Sequence, residues 1–166
     1  MNTNTENYSK LSDAEIKKYI EYYNLFKNVV ALHKNLNFGN NPSIPSVFSE
    51  SLVRHLMNYS KYTGPGKKFD AELDNKYIEI KATGTKSGTT TINKESLSDD
   101  KFGFLIWIYI DFNEDKVSIK KILKDNLLSE AEADSKRRES ITLSRIKYSE
   151  ELVFQITETE FKKISG

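Results

Sequence analysis

The sequence predicts a single α/β (α+β) domain, and three observations carry that expectation. Apolar residues recur at helical spacing after Ser12, two alternating segments meet at a tight Asp74-Asn75 turn, and Phe102 to Phe112 is almost continuously apolar. The first pattern is that of an amphipathic helix, the second of a β-hairpin, and the third of a strand buried on both faces at the centre of a sheet. At 166 residues the chain has the length of one domain, residues 1–166, with residues 1–10 expected as a disordered tail.

Each element follows in order. Ile16, Tyr19, Ile20, Tyr23, Phe26, Val29, Val30 and Leu32 fall three and four residues apart, and Ser12 with Glu15 has the form of a capping box, so a helix runs from about Asp13 to Lys34. Asparagine, glycine and two prolines make Asn35 to Pro45 a loop. A second helix, about Ser46 to Tyr59, places Val47, Leu52, Val53 and Leu56 at helical spacing, with Glu50 and Arg54 four apart. Glycine-rich Lys61 to Lys68 leads into the hairpin Phe69 to Lys81. The run Ala82 to Thr91 is small and hydroxyl-rich, a loop able to lie close against another surface. After the apolar strand, Val117 to Ile122 reads as its neighbour, Leu123 to Ala133 as a short helix or loop, and Ile141, Leu143 and Ile146 as an alternating segment. Thr157-x-x-Glu160 has the form of a helix start, so the chain is expected to end in a short helix, Thr157 to Ile164.

Composition narrows the chemistry. There is no cysteine, which excludes disulfides, iron–sulfur clusters and thiol catalysis, and two histidines are too few for a His-rich zinc site. The longest apolar run, Phe104 to Ile110, is too short to span a bilayer, and the polar first ten residues lack a signal-peptide core, so no membrane partner and a cytoplasmic location are the expectations. The net charge of +1 neither favours nor excludes nucleic acid. Only four of the 25 basic residues are arginine, and each of those four raises the question of what needs a planar guanidinium fork.

The hairpin holds the chemically informative pair. A two-residue turn sets Leu73 opposite Lys76, Glu72 opposite Tyr77, Ala71 opposite Ile78 and Asp70 opposite Glu79. Alternation then puts Glu79 and Lys81 on the face of Asp70, with Ile78 and Ile80 on the other. Two facing carboxylates roughly 5 Å apart repel, unless a divalent cation sits between them. Such oxygen ligands suit Mg²⁺ or Mn²⁺, and Lys81 would stand beside the metal. The acid-x-lysine triplet alone carries little, since Glu15, Glu114, Asp134 and Glu160 are each followed two residues later by lysine. Only the copy at Glu79 lies in a strand-type run opposite an aspartate.

Asp70, Glu79 and Lys81 resemble the PD-(D/E)XK nuclease motif, with Phe69 in place of the proline. The segments Phe48 to Val53, Phe69-Asp70 and Ile78 to Thr83 are similar to type II restriction endonucleases, in particular the small Bsp-six-I type that cleaves the interrupted palindrome G-C-N-G-C. The resemblance covers roughly Pro45 to Arg145. It implies a restriction-endonuclease-like core, a central mixed β-sheet with flanking helices, and metal-dependent, sequence-specific hydrolysis of double-stranded DNA. In that chemistry Asp70, Glu79 and the backbone carbonyl of Ile80 hold Mg²⁺, with Mn²⁺ as a substitute, and Lys81 orients the attacking water. Glu50 matches an accessory acid; a solvent-facing residue paired with Arg54 is the other reading.

Lys67 and Lys68 are expected at phosphates near the site, and Lys86, Ser87, Thr89 and Thr90 on backbone or base edges. Arg137, Arg138 and Arg145 are candidates for reading guanine, or form a solvated charge run. Cutting both strands of a palindrome suggests a homodimer, for which the first helix could supply the interface. A Holliday-junction resolvase or repair nickase of the same fold, a non-catalytic DNA-binding module, and a glycine-loop phosphate binder at Gly64-Pro-Gly-Lys67 are the alternatives.

Overall fold

The computed structural model describes residues 10–39, 42–66, 69–92, 94–133 and 140–166. Apart from Lys10, the expected tail lies outside the described residues. Helix α1 spans Asp13–Asn35 and begins at the expected capping box: Ser12 Oγ accepts the Glu15 N–H at 3.3 Å, and the Glu15 carboxylate accepts the Ser12 N–H at 2.8 Å. The Ser12 N–H and the Ser12 hydroxyl, which also donates to this carboxylate at 2.7 Å, hold the Glu15 carboxyl below its ordinary range. Helix α2, Ser46–Met57, stops where Asn58 turns left-handed at φ 58°. Then follow β1 (Ser60–Lys61), β2 (Ala71–Leu73), β3 (Lys76–Thr83), β4 (Thr89–Thr91) and α3 (Lys94–Ser98). The chain continues with β5 (Phe102–Asp111), β6 (Lys116–Leu123), α4 (Lys124–Ala133), β7 (Ser140–Thr142), a 3-10 turn (Leu143–Arg145), β8 (Glu150–Ile156) and β9 (Phe161–Ser165).

Among the described residues, seven strands form one mixed sheet in the order β1-β2-β3-β5-β6-β8-β9, and β4 pairs with β7 in a separate two-stranded ribbon. Strands β3 and β5 run parallel, and the remaining neighbours are antiparallel. This is the mixed sheet with flanking helices of a restriction-endonuclease-like core. Strand β5 lies at its centre and is covered on both faces, as its apolar run requires. On one face Ile78, Ile80, Ile106, Ile108 and Ile119 pack with Tyr23 of α1 and Leu52 and Val53 of α2. On the other, Leu105, Trp107 and Ile122 pack with Phe69, Leu97, Leu127, Ile141 and Leu143. The sheet is thus the middle of three layers, which is how each face buries its apolar side chains. No described helix is long and apolar enough to cross a membrane.

Several sequence expectations change. Ala82 to Thr91, expected as a loop, instead carries the end of β3 to Thr83 and supplies β4, because Thr89–Thr91 find a pairing partner in β7. The last segment is strand β9 rather than a helix. Thr157 Oγ1 does accept the Glu160 N–H, at 3.1 Å, but it caps the turn between β8 and β9. The same local bond serves a helix start or a turn, and here pairing with β8 decides. Val29 and Leu32, placed by spacing with the core residues of α1, are on its outer side, and Val47 of α2 is also exposed.

Candidate active site

The site is built on the β2–β3 hairpin. Asp74 and Asn75 both adopt positive φ, 49° and 61°, the type I′ geometry that matches the twist of a two-residue hairpin. The register is the one the turn dictates, Leu73 with Lys76, Glu72 with Tyr77 and Ala71 with Ile78. There the ladder ends. Asp70 donates its N–H to the Ile78 carbonyl at 3.0 Å, and its Oδ2 accepts the Ile80 N–H at 2.7 Å. The expected pairing of Asp70 directly opposite Glu79 is therefore replaced by an oblique one. The Asp70 carboxylate caps the backbone between Glu79 and Lys81, whose own side chains pair at 2.6 Å from Nζ to Oε1.

Helix α2 closes the site from the other side. Arg54 is 8% exposed; its Nη1 donates to the Asp70 carbonyl at 3.0 Å and its Nη2 to Ser51 Oγ at 2.9 Å. Glu50 Oε2 stands 3.9 Å from the same Nη1. Glu50 thus pairs with Arg54, and its charge also reaches Asp70. Burial, then the neighbouring charge of Glu79 and that of Glu50, pushes the Asp70 carboxyl up to about 7, against the Ile80 N–H and the Lys81 ammonium, which act the other way. The structure brings Glu50, Asp70, Glu79 and Lys81 together. Arg54, the guanidinium that braces two of them, was legible only as an i,i+4 partner and as an arginine in a lysine-rich chain.

Among the described residues no group of three or more His, Cys, Asp or Glu forms a metal cage. The donor set of Asp70 and Glu79 nevertheless fits Mg²⁺, which is commonly held by one or two carboxylates and keeps several waters.

The segment after β3 folds against the same face. Trp107 Nε1 donates to Thr83 Oγ1 at 2.8 Å, and the hydroxyls of Thr85 and Ser87 lie 2.9 Å apart. Ribbon β4–β7 joins this segment to the 3-10 turn: Thr90 pairs with Ile141, the Leu143 N–H donates to the Gly88 carbonyl at 3.0 Å, and the Ser144 N–H to that of Ser87 at 3.2 Å. Lys86, Ser87, Thr89 and Thr90 are thereby brought beside exposed Arg145. Lys86 leans to Asp111 at 3.6 Å but is mostly exposed. Lys67, Lys68, Arg137 and Arg138 lie outside the described residues.

A row of basic, aromatic and acidic side chains crosses the same face. Lys81 pairs in register with Trp107, Trp107 with Lys120, and Lys120 with Glu151, so a row of side chains crosses four strands from the hairpin. The row borders a groove of about 250 Å³ lined by Lys86, Trp107, Tyr109, Asp111, Lys120 and Glu151, among others. Lys120 Nζ lies 4.9 Å from the Trp107 ring centroid and 4.6 Å from that of Tyr148, so the lysine is held over aromatic faces.

A family model described as Bsp6I restriction endonuclease matches residues 11–144, from the capping box of α1 into the 3-10 turn, and spans all four clustered side chains. No curated protein and no solved structure matches the chain.

Proposed function

The chain belongs to the Bsp6I restriction endonuclease family, and from that premise we propose that this type II restriction endonuclease hydrolyses double-stranded DNA with a divalent metal held by Asp70 and Glu79. The observation that supports the reading best is the convergence of a partly buried Asp70 with Glu79 and the Lys81 ammonium on one hairpin. Bound Mg²⁺, or Mn²⁺ in its place, would neutralise charge on the scissile phosphate and lower the pKa of a coordinated water.

The chain's own residues do the rest. Asp70 takes part as the anion, the form that a bound cation beside it would favour. The backbone carbonyl of Ile80 is the third donor. Lys81, with one N–H engaged by Glu79, keeps two donors to orient water and to stabilise the charge that develops on the phosphate. Arg54 and Glu50 position Asp70 from α2. Hydrolysis leaves a 5′-phosphate and a 3′-hydroxyl, at a site of the G-C-N-G-C type. Lys67 and Lys68 contact phosphates; Lys86, Ser87, Thr89 and Thr90, with Arg137, Arg138 and Arg145, form the recognition surface. Two copies about a two-fold axis cut the two strands of the palindrome.

Lys81→Ala should lower the cleavage rate by about 10³-fold, the scale expected when a donor aimed at developing charge is removed, while duplex binding in a gel-shift assay stays near normal. Wild-type cleavage by this variant in Mg²⁺ would place the chemistry elsewhere.

A further inference from the structure

Helix α1 is apolar on two opposite sides. Ile20, Tyr23 and Val30 are buried against the sheet and α2. At 100° per residue, Leu25, Val29, Leu32 and Leu36 fall within roughly 60° of one another on the side away from Tyr23. Their spacing of four, three and four residues is the a/d repeat of a coiled-coil seam. All four are between 50% and 60% exposed. The patch is extended near one end by Tyr22 and Val47, which share an apolar groove with Tyr19 and Phe48, and near the other by Phe38, whose ring stacks edge-on with His33.

Area and charge say what covers it. At on the order of 100 Å² apiece, these seven exposed side chains offer roughly 700 Å², near the ~800 Å² that each partner gives to a stable interface. A monomer rarely leaves so large an apolar patch without an interaction role. From Leu25 to Leu36 the seam is bordered by Asn24, Asn28, Ala31 and Asn35, all uncharged, with Lys27 turned away and bonded to Asp115 at 2.6 Å; only at its N-terminal end do charged side chains, Lys18 and Glu21 of opposite sign, stand on the same side. A copy of the same surface therefore meets it along most of its length without facing like charges.

We propose that a second copy of this chain docks here, α1 against α1 about a two-fold axis. The proposal names the surface for the homodimer and rests on that part of the reading above, not on the cleavage chemistry. The full chain should sediment at twice its mass at micromolar concentration. The Leu25→Glu, Leu32→Glu double variant should sediment at the single mass, its dissociation constant raised about a hundredfold or more, with unchanged circular dichroism and melting. A monomeric wild type would overturn this surface and the homodimer together; a dimer that survives both glutamates would overturn the surface alone. If the double variant loses its fold, the milder Val29→Gln decides by the same measurement, weakening association if the seam is the interface and leaving it unchanged if not.

Discussion

Asp70 is mostly buried, accepts one backbone N–H and faces two like charges, and the sign of each effect can be followed. Its carboxyl, ordinarily near 3.8, is raised to about 7 in the folded chain, first by burial and then by Glu79. Because the folded value exceeds the unfolded one, the stability contributed by the neutral form is present below about pH 4 and is lost as pH rises through about 7. Without divalent cation, Asp70→Asn should therefore be more stable than wild type at pH 8 by on the order of 2–4 kcal/mol, with the difference closing toward pH 4. Added Mg²⁺ should narrow the gap at pH 8 by stabilising only the wild type. Denaturant titration at the two pH values checks this, and equal stability at pH 8 would contradict the argument from burial. Asp115 is the counter-case. Partial burial raises its carboxyl too, but Lys27 and Tyr23 of α1 each reach it at 2.6 Å and hold it below its ordinary range. The first carboxylate carries uncompensated charge at a site; the second ties a helix to the β5–β6 turn.

At the scale of elements, the ribbon β4–β7 links the hydroxyl-rich segment after β3 to the turn that carries Arg145. Gly88 is where that segment passes Trp107. It has φ +64°, and a Cβ there would come within 2.5 Å of the indole. Gly88→Ala should destabilise the protein by roughly 2 kcal/mol or more, through both strain and overlap, and should weaken DNA cleavage by displacing Lys86 to Thr90. A melting curve and cleavage rate at wild-type values would contradict this placement. The hairpin beside it was legible in the sequence because its determinants are local, an Asp-Asn turn and alternation of period two. Strand β5 was legible for its apolar run. What was not legible depends on distant partners: the end of the ladder at Ala71, which redirects Asp70; the bond from Arg54 to the Asp70 carbonyl; the joining of Thr90 to Ile141; and the pairing that makes β9 a strand. Val29 and Leu32 were misassigned because a helix with two apolar stripes satisfies helical spacing on either side.

Across the whole molecule the three layers divide the work. Helices α1 and α2 cover one face of the sheet; α2 also carries Glu50 and Arg54 to the hairpin, and the outer side of α1 offers a seam for a second copy. The opposite face carries Glu79, Lys81, the lysine-and-aromatic groove and the β4–β7 ribbon. The most direct test is digestion of a long duplex DNA of known sequence by the purified chain, with Mg²⁺ and with chelator, followed by mapping of the fragment ends. The expected result is discrete fragments with 5′-phosphate ends that share one short palindrome, absent with chelator and with Lys81→Ala. Fragments formed in chelator, or ends with no common sequence, would contradict a metal-dependent, site-specific nuclease built on Asp70, Glu79 and Lys81.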